Sequence, residues 1–485
     1  MAYISPVPFF GNMASVVFRR QYMGDHMIDV YNHFSHLKYF GYYNLTGQVI
    51  AIRDPELVTS VAVKNFDNFT DHFTLLDVKS DPVLAMNLFG LRGNHWREMR
   101  KVLSPAFTCS KMKLMSQLII DCASKFTDYV AERSNTGHEY DLREIFHRYT
   151  VDVVATCNYG IAVDSLREPN NEFYMNGQHV SLQSTTAALI LVIGNQFPVL
   201  MKLLGLKLFS DKVVNYFTSL VKEMIQTRDE KGIYRPDMLQ LMMDLKDKDG
   251  KRLPIEEITG QVFIFFLGGF DTSSLLMCFA AHEIGCNPEV QEKLLAEIDE
   301  VNRKTNGKPN YDAFSGMRYM DAVLDETSRM YMGAPFLDRE CVKKFELPPA
   351  GPGLKPVTVK PGDVVWFLSG AIHKDPKYYP DPYTFKPERF LNGEVSPYNF
   401  LPFGIGPRNC IGKRFGQMQT KILLFYLLQQ CKLEPSSKTM MPIEFDTAGV
   451  LQLPKNGFWM NIKARNGYSP ANSDVGKAEN GKIST

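Results

Sequence analysis

Apolar residues recur at helical spacing over most of the span from Trp96 to about Glu300, broken by polar loops at 163–174 and 228–236. Ahead of that span, "KYFGYYNLTGQVIAIR" (38–53) reads as two strands around a Thr-Gly turn. "DPELVTSVAVKNF" then opens a helix with Asp-Pro before an apolar-periodic run. Strand-like Val and Phe return between Pro-Gly turns in "LKPVTVKPGDVVWFLSG" (354–370). Residues 415–431 read as helix, and 442–463 as strand and loop. The last twenty residues are polar and predict disorder. No repeat or linker divides the chain. The pattern predicts one large, mainly α fold with small β-sheets near its two ends, covering 1–465, and a disordered tail at 466–485.

One predicted helix needs a special explanation. "ITGQVFIFFLGGFDTSSLLMCFAAHEIG" is long and apolar, yet carries Gly268 and Gly269 in its middle. Each glycine costs a helix about 1 kcal/mol against alanine. Thr272 lies four residues after Gly268, so its hydroxyl can compete for the Gly268 carbonyl and open a notch. Counting turns back from Gly268 puts Ile264 and Phe265 on the same face, with Phe263 and Phe266 toward the core. The alternative is that all four are core.

The 485 residues are 45% hydrophobic and carry a net charge of +1, so no global field argues for nucleic acid. Eight scattered cysteines without a CxxC pair favour a reducing compartment over a disulfide framework. No HExxH is present, and His33 and His36 have no third ligand nearby, which leaves no zinc site. No uninterrupted apolar run of about 20 residues predicts a spanning helix. "DKDGKRLPIEE" resembles a calcium loop, but its first ligand position is Leu245, so it reads as a solvated loop. "GIGPRN" lacks the third glycine and preceding strand of a dinucleotide site. A redox enzyme built this way takes its electrons from elsewhere.

The chemistry concentrates in "LPFGIGPRNCIGKRFG", where Phe403, Gly406, Arg408, Cys410 and Gly412 give the spacing FxxGxRxCxG. The glycines let backbone approach a flat ligand closely. A helix begins just beyond Cys410, so its sulfur sits at a positive N-terminus. This spacing resembles the signature loop of the cytochrome P-450 superfamily, and the resemblance runs from the first residues to about 463. It implies haem b with Cys410 as axial iron ligand, a thiolate that pushes electron density toward the metal. It also implies Arg408 on a haem propionate and Phe403 shielding the sulfur. Glu326 and Arg329 in "DETSRM", with Arg389 in "FKPERF", resemble the family's buried Glu-Arg-Arg cluster. Trp96 and Arg100, together with Arg339, match its propionate contacts. Asp271 and Thr272 match the acid–alcohol pair that guides protons.

Two departures bear on the pocket. Gly268 stands where many relatives carry Ala, which enlarges the substrate space, and "RMYMGAP" lacks a common proline pair, reshaping the wall near Ala334. The segment 70–92 falls where the family places a loop over the haem, and no charged anchor stands out, so the ligand is apolar. "FPVLMKLLGLKLFS" (197–210) reads as a segment that dips into a membrane or as a packed helix. "SPVPFF" resembles the hinge after the anchor of microsomal relatives, which implies the cytosolic face of the endoplasmic reticulum and an anchor absent from this chain. Arg97, Lys101, Lys413 and Arg414 would form a basic face for NADPH–cytochrome P-450 reductase, with cytochrome b5 as a further donor. The closest likeness is to insect microsomal members that oxidise plant toxins and insecticides; others of that group make hormones. The expected activity is monooxygenation of an apolar small molecule. A haem-thiolate isomerase or dehydratase acting on a peroxide, and a haem-based sensor, remain the alternatives.

Overall fold

The computed structural model describes residues 1–73, 86–134, 138–180, 190, 203, 207–247, 249–448 and 452–465. The predicted loop over the haem lies partly outside these residues, as does most of the predicted membrane-dipping segment and all of the polar tail.

Six helices build the site: α1 (Gly93–Leu103), α2 (Cys109–Ala131), α3 (Leu142–Val154), α4 (Ile255–Cys286), α5 (Arg318–Met330) and α6 (Lys413–Gln430). Helix α4 has 32 residues, roughly 48 Å of rise. It packs against α3, α5 and α6 and the helix Asp211–Lys231. A helix enclosed on all sides must be apolar all round, which is how α4 reads. By length and composition α4 could cross a membrane, although the uninterrupted apolar runs predicted no such stretch. Its scattered Gly, Thr, Ser and Gln hide it from a search for unbroken runs. Most of it is buried in protein, so it is the core helix.

The sheets flank this bundle. Strands β1 (Tyr39–Asn44) and β2 (Gly47–Ile52) form the expected hairpin. Strand β3 (Glu139–Asp141) joins a second sheet, described below. Strands β4 (Leu337–Glu340), β5 (Phe345–Leu347), β6 (Val357–Val359) and β7 (Val364–Phe367) follow. The first sheet runs β1-β2-β7-β4, with β2 and β7 parallel and its other pairs antiparallel. β5 and β6 pair on their own. Strands β8 (Cys431–Pro435) and β9 (Trp459–Ala464) complete the second sheet in the order β3-β9-β8. The buried side chains fall into two clusters, one around α4 and one around the first sheet.

Local chemistry accounts for the hairpin exit and for the helix after it. Asp54 accepts a hydrogen bond from the Leu57 amide at 2.8 Å, with Pro55 at the first helical position. Asp247 takes the amides of Asp249 and Lys251 in an exposed turn, in keeping with a surface loop.

Candidate active site

Cys410 stands between two glycine-shaped turns and the start of α6. Its amide donates to the Phe403 carbonyl at 2.8 Å, which folds the loop back on itself. Gly406 adopts φ +73°, and a Cβ there would lie 2.2 Å from the Ala62 carbonyl oxygen. Only glycine satisfies both the dihedral and the close approach. The Cys410 side chain is open to space although the residue lies deep in the fold. Burial pushes its thiol up, while the Gly412 and Lys413 amides and the charges of Arg100 and Lys413 pull it down. Burial wins on balance, so those amides and cations would hold a sulfur anion once a metal ion adds its own positive charge. Phe403 is half-buried, with the Lys413 ammonium 5.4 Å from its ring centre.

The middle of α4 carries the second feature. In a helix buried almost throughout, Gly268 and Thr272 are exposed, with Ile264 and Phe265 half-buried beside them. Positions four apart share a face, so one stripe of the core helix borders open space. A Cβ built on Gly268 meets nothing within 4 Å. Phe263 and Phe266 are buried in the core. The Thr272 hydroxyl donates to the Gly268 carbonyl at 2.5 Å, the predicted contact, yet the helix continues unbroken through it. Asp271 is not brought together with Thr272. It points to the buried side, where its carboxylate lies 3.5 Å from His147 Nε2 on α3. Successive helical residues are about 100° apart, so neighbours in sequence need not share a face. His147 is held neutral by burial and by Arg143, its pKa pushed down to about 3.

Around the cysteine loop several arginines converge. Arg408 stacks on Trp96, 4.0 Å from the ring centre. Its donors reach the carbonyls of Thr70 and Leu91 at 2.8 Å each and Asp71 Oδ1 at 3.3 Å. Much of its guanidinium is therefore committed to the two ends of the predicted loop, beyond any propionate role. Arg100 Nη2 donates to Asn409 Oδ1 at 2.7 Å. Arg339 is almost fully buried; it donates to the Asp338 and Ile405 carbonyls, and its Nε has no acceptor. Burial pushes its pKa down to about 10, against the pull of Asp338. Ala334 is exposed, and Gly333 before it has open space at its Cβ position.

Behind the loop, Glu326 is fully buried and accepts from Arg329 Nε at 2.7 Å and Arg329 Nη2 at 2.9 Å. Arg389 Nε reaches it at 3.3 Å, and the Lys386 amide at 3.0 Å. The basic face is less free than its composition implies. Arg97 pairs with Asp67 at 2.6 Å and Arg414 reaches the Phe107 carbonyl at 3.3 Å, whereas Lys101 and Lys413 are exposed.

The cytochrome P-450 family model matches residues 2–460. The chain belongs to the cytochrome P-450 family. Among curated relatives, cytochrome P-450 9e2 of Blattella germanica is 39% identical, covering 95% of this chain and 92% of its own. Probable cytochrome P-450 9f2 and probable cytochrome P-450 6a18 of Drosophila melanogaster are each 35% identical, over 96% and 95% of this chain. As a cytochrome P-450, the protein is a haem-thiolate monooxygenase with the mainly helical fold of that family.

The residues around Cys410 fit haem. A planar dianion held through a thiolate would need an accessible sulfur, clearance for the ring and cations at one edge. Cys410 is accessible, the Gly268 face is open, and Arg339 keeps a buried Nε without an acceptor. The sequence motifs did not point to His147 beside Asp271, or to His373, which bonds both Arg329 and the start of the cysteine loop. A buried histidine carries no spacing signature, so neither had a signal to find.

Proposed function

We propose that this cytochrome P-450 inserts one atom of dioxygen into apolar foreign molecules such as plant toxins or insecticides. In this reading, electrons come from NADPH through the flavoprotein reductase of the endoplasmic reticulum, on whose cytosolic face the protein works. The observation that carries the reading is the stripe Phe265, Gly268 and Thr272, open within a core helix and bare of charge. Haem, when bound through Cys410, supplies dioxygen activation and oxygen-atom transfer. The chain's own residues do the rest. Arg100, Arg339, Arg408 and Trp96 would hold the propionate edge, and Glu326, Arg329 and Arg389 would brace the region behind the sulfur. Ile264, Phe265 and Ala334 would line an apolar pocket that excludes water. Thr272 Oγ1 borders the open space with its proton resting on the Gly268 carbonyl, which the hydroxyl would release to turn toward a ligand, and Asp271 would reach it from the buried side only by rotating its side chain. Lys101 and Lys413 remain for an acidic electron donor, and cytochrome b5 presents a similar surface chemistry.

The test is reconstitution with the reductase and a panel of apolar toxins under labelled dioxygen. Substrate-dependent NADPH consumption with one labelled oxygen in the product supports the reading. Rearrangement of a hydroperoxide without NADPH would favour the isomerase alternative instead.

A further inference from the structure

The chain entering the cysteine loop is fastened at one buried point. The Leu401 amide donates to His373 Nε2 at 2.8 Å, across 28 residues of sequence. Both residues are buried, His373 completely. Accepting at Nε2 places the imidazole proton on Nδ1, which is itself buried. Phe400 lies stacked on the imidazole at 5.8 Å and Tyr379 edge-on at 6.0 Å, so the ring has one orientation. From the other side, the His373 carbonyl accepts from Arg329 Nη1 at 2.8 Å. Arg329 in turn is locked to Glu326. A continuous path thus runs from the Glu326 carboxylate through Arg329 and His373 to Leu401. Two residues on, the Phe403 carbonyl accepts the Cys410 amide. Burial and Arg329 keep the imidazole neutral, pushing its pKa down to about 3, so Nε2 remains an acceptor at ordinary pH.

We infer that His373 is a positioning residue for Cys410, its acceptor nitrogen fixing where the loop begins and hence where the sulfur stands. The inference rests on Cys410 as the iron ligand. A leucine of similar bulk at 373 would keep the packing and orphan the Leu401 amide. A glutamine would restore an acceptor oxygen. A residue that only filled space would tolerate leucine at least as well as glutamine.

The experiment compares purified wild-type, His373→Leu and His373→Gln proteins, all haem-loaded. Each is scored by the Soret band of its reduced carbon monoxide complex and by hydrogen exchange at the Leu401 amide. The expected result is a His373→Leu protein that retains haem but shows at least half its band in the blue-shifted form without thiolate. Its Leu401 amide should exchange at least tenfold faster. His373→Gln should recover most of the red-shifted band and the protection. A His373→Leu protein with the wild-type band and wild-type protection would overturn the inference. Should leucine give no folded protein, the glutamine protein decides. Retained protection with the red-shifted band supports the role, and lost protection with an unchanged band refutes it. Failure of the underlying assignment would look different, because wild-type protein itself would then lack the red-shifted band.

Discussion

At the scale of single residues, the site turns on a few atoms that have no substitute. Glu326 is a fully buried carboxylate satisfied by two arginines and an amide. Removing one partner from such a cluster costs about 3–5 kcal/mol, because the remaining charges stay buried. Glu326→Ala is therefore expected to purify without haem, or with a sharply lowered melting temperature, when haem content and thermal unfolding are measured together. Full haem occupancy at wild-type stability would contradict the assignment. Gly268 makes the opposite case. Its missing methyl group would enter empty space, so Gly268→Ala should stabilise α4 by up to about 1 kcal/mol. It should also narrow the cavity. Melting curves, with titrations of a slim and a bulky apolar ligand, check both effects, and weaker binding of the bulky ligand alone is expected. Thr272 is the hydroxyl on that open face. In Thr272→Ala, NADPH consumption should continue while product falls and hydrogen peroxide rises. Unchanged coupling of NADPH to product would remove the hydroxyl from the proton path.

At the scale of elements, burial of histidines in and around α4 gives the fold a defined acid sensitivity. His147 on α3, His282 on α4 and His373 before the cysteine loop have pKa values pushed down to about 3, 4 and 3, chiefly by burial. An unfolded histidine titrates near 6.5. Above that value both states are neutral and pH has no effect through these groups. As pH falls below it, the unfolded chain binds protons that the fold refuses, so stability is lost down toward pH 3–4. Each histidine contributes at most about 1.4 kcal/mol per pH unit in that window. The melting temperature lost between pH 6.5 and 4.5 should therefore be smaller in a His282→Gln protein than in wild type, a comparison that cancels the opposing effect of the buried Asp152 and Asp325 carboxyls, pushed up to about 7 and 6. An equal loss in the two proteins would show that this imidazole meets water or a partner in the fold. How much of each element the sequence exposes also differs by kind. The β1–β2 hairpin, the capped turn at Asp54 and α6 are local patterns, and they form where periodicity and turn chemistry place them. The orientation of Asp271 is also local in principle, since α4 places it about 100° from Thr272. Adjacency in sequence obscured that rotation, and the residue lies against His147 instead.

At the scale of the whole molecule, the cysteine loop is readable in sequence because its chemistry is packed into a few residues. A thiol, a glycine at positive φ and an arginine must sit at fixed spacing, so the motif survives without any knowledge of the fold. The long-range contacts that support it leave no such trace. Arg408 reaches back more than 300 residues to Thr70 and Leu91, and His373 reaches forward to Leu401. These pairings are decided by packing between the helical core and the first sheet, which no local pattern encodes. The basic face shows the same limit, since Arg97 is partly neutralised by Asp67 from a distant turn. The proposed chemistry depends on one bond, between Cys410 sulfur and iron. The measurement that tests it most directly is the absorption spectrum of the reduced protein under carbon monoxide. A strongly red-shifted Soret band is the predicted result and marks a thiolate ligand. Bound haem with only the blue-shifted band in freshly purified, folded protein would contradict it, because a thiol held by the Gly412 and Lys413 amides would then not be the anion that the monooxygenase chemistry needs.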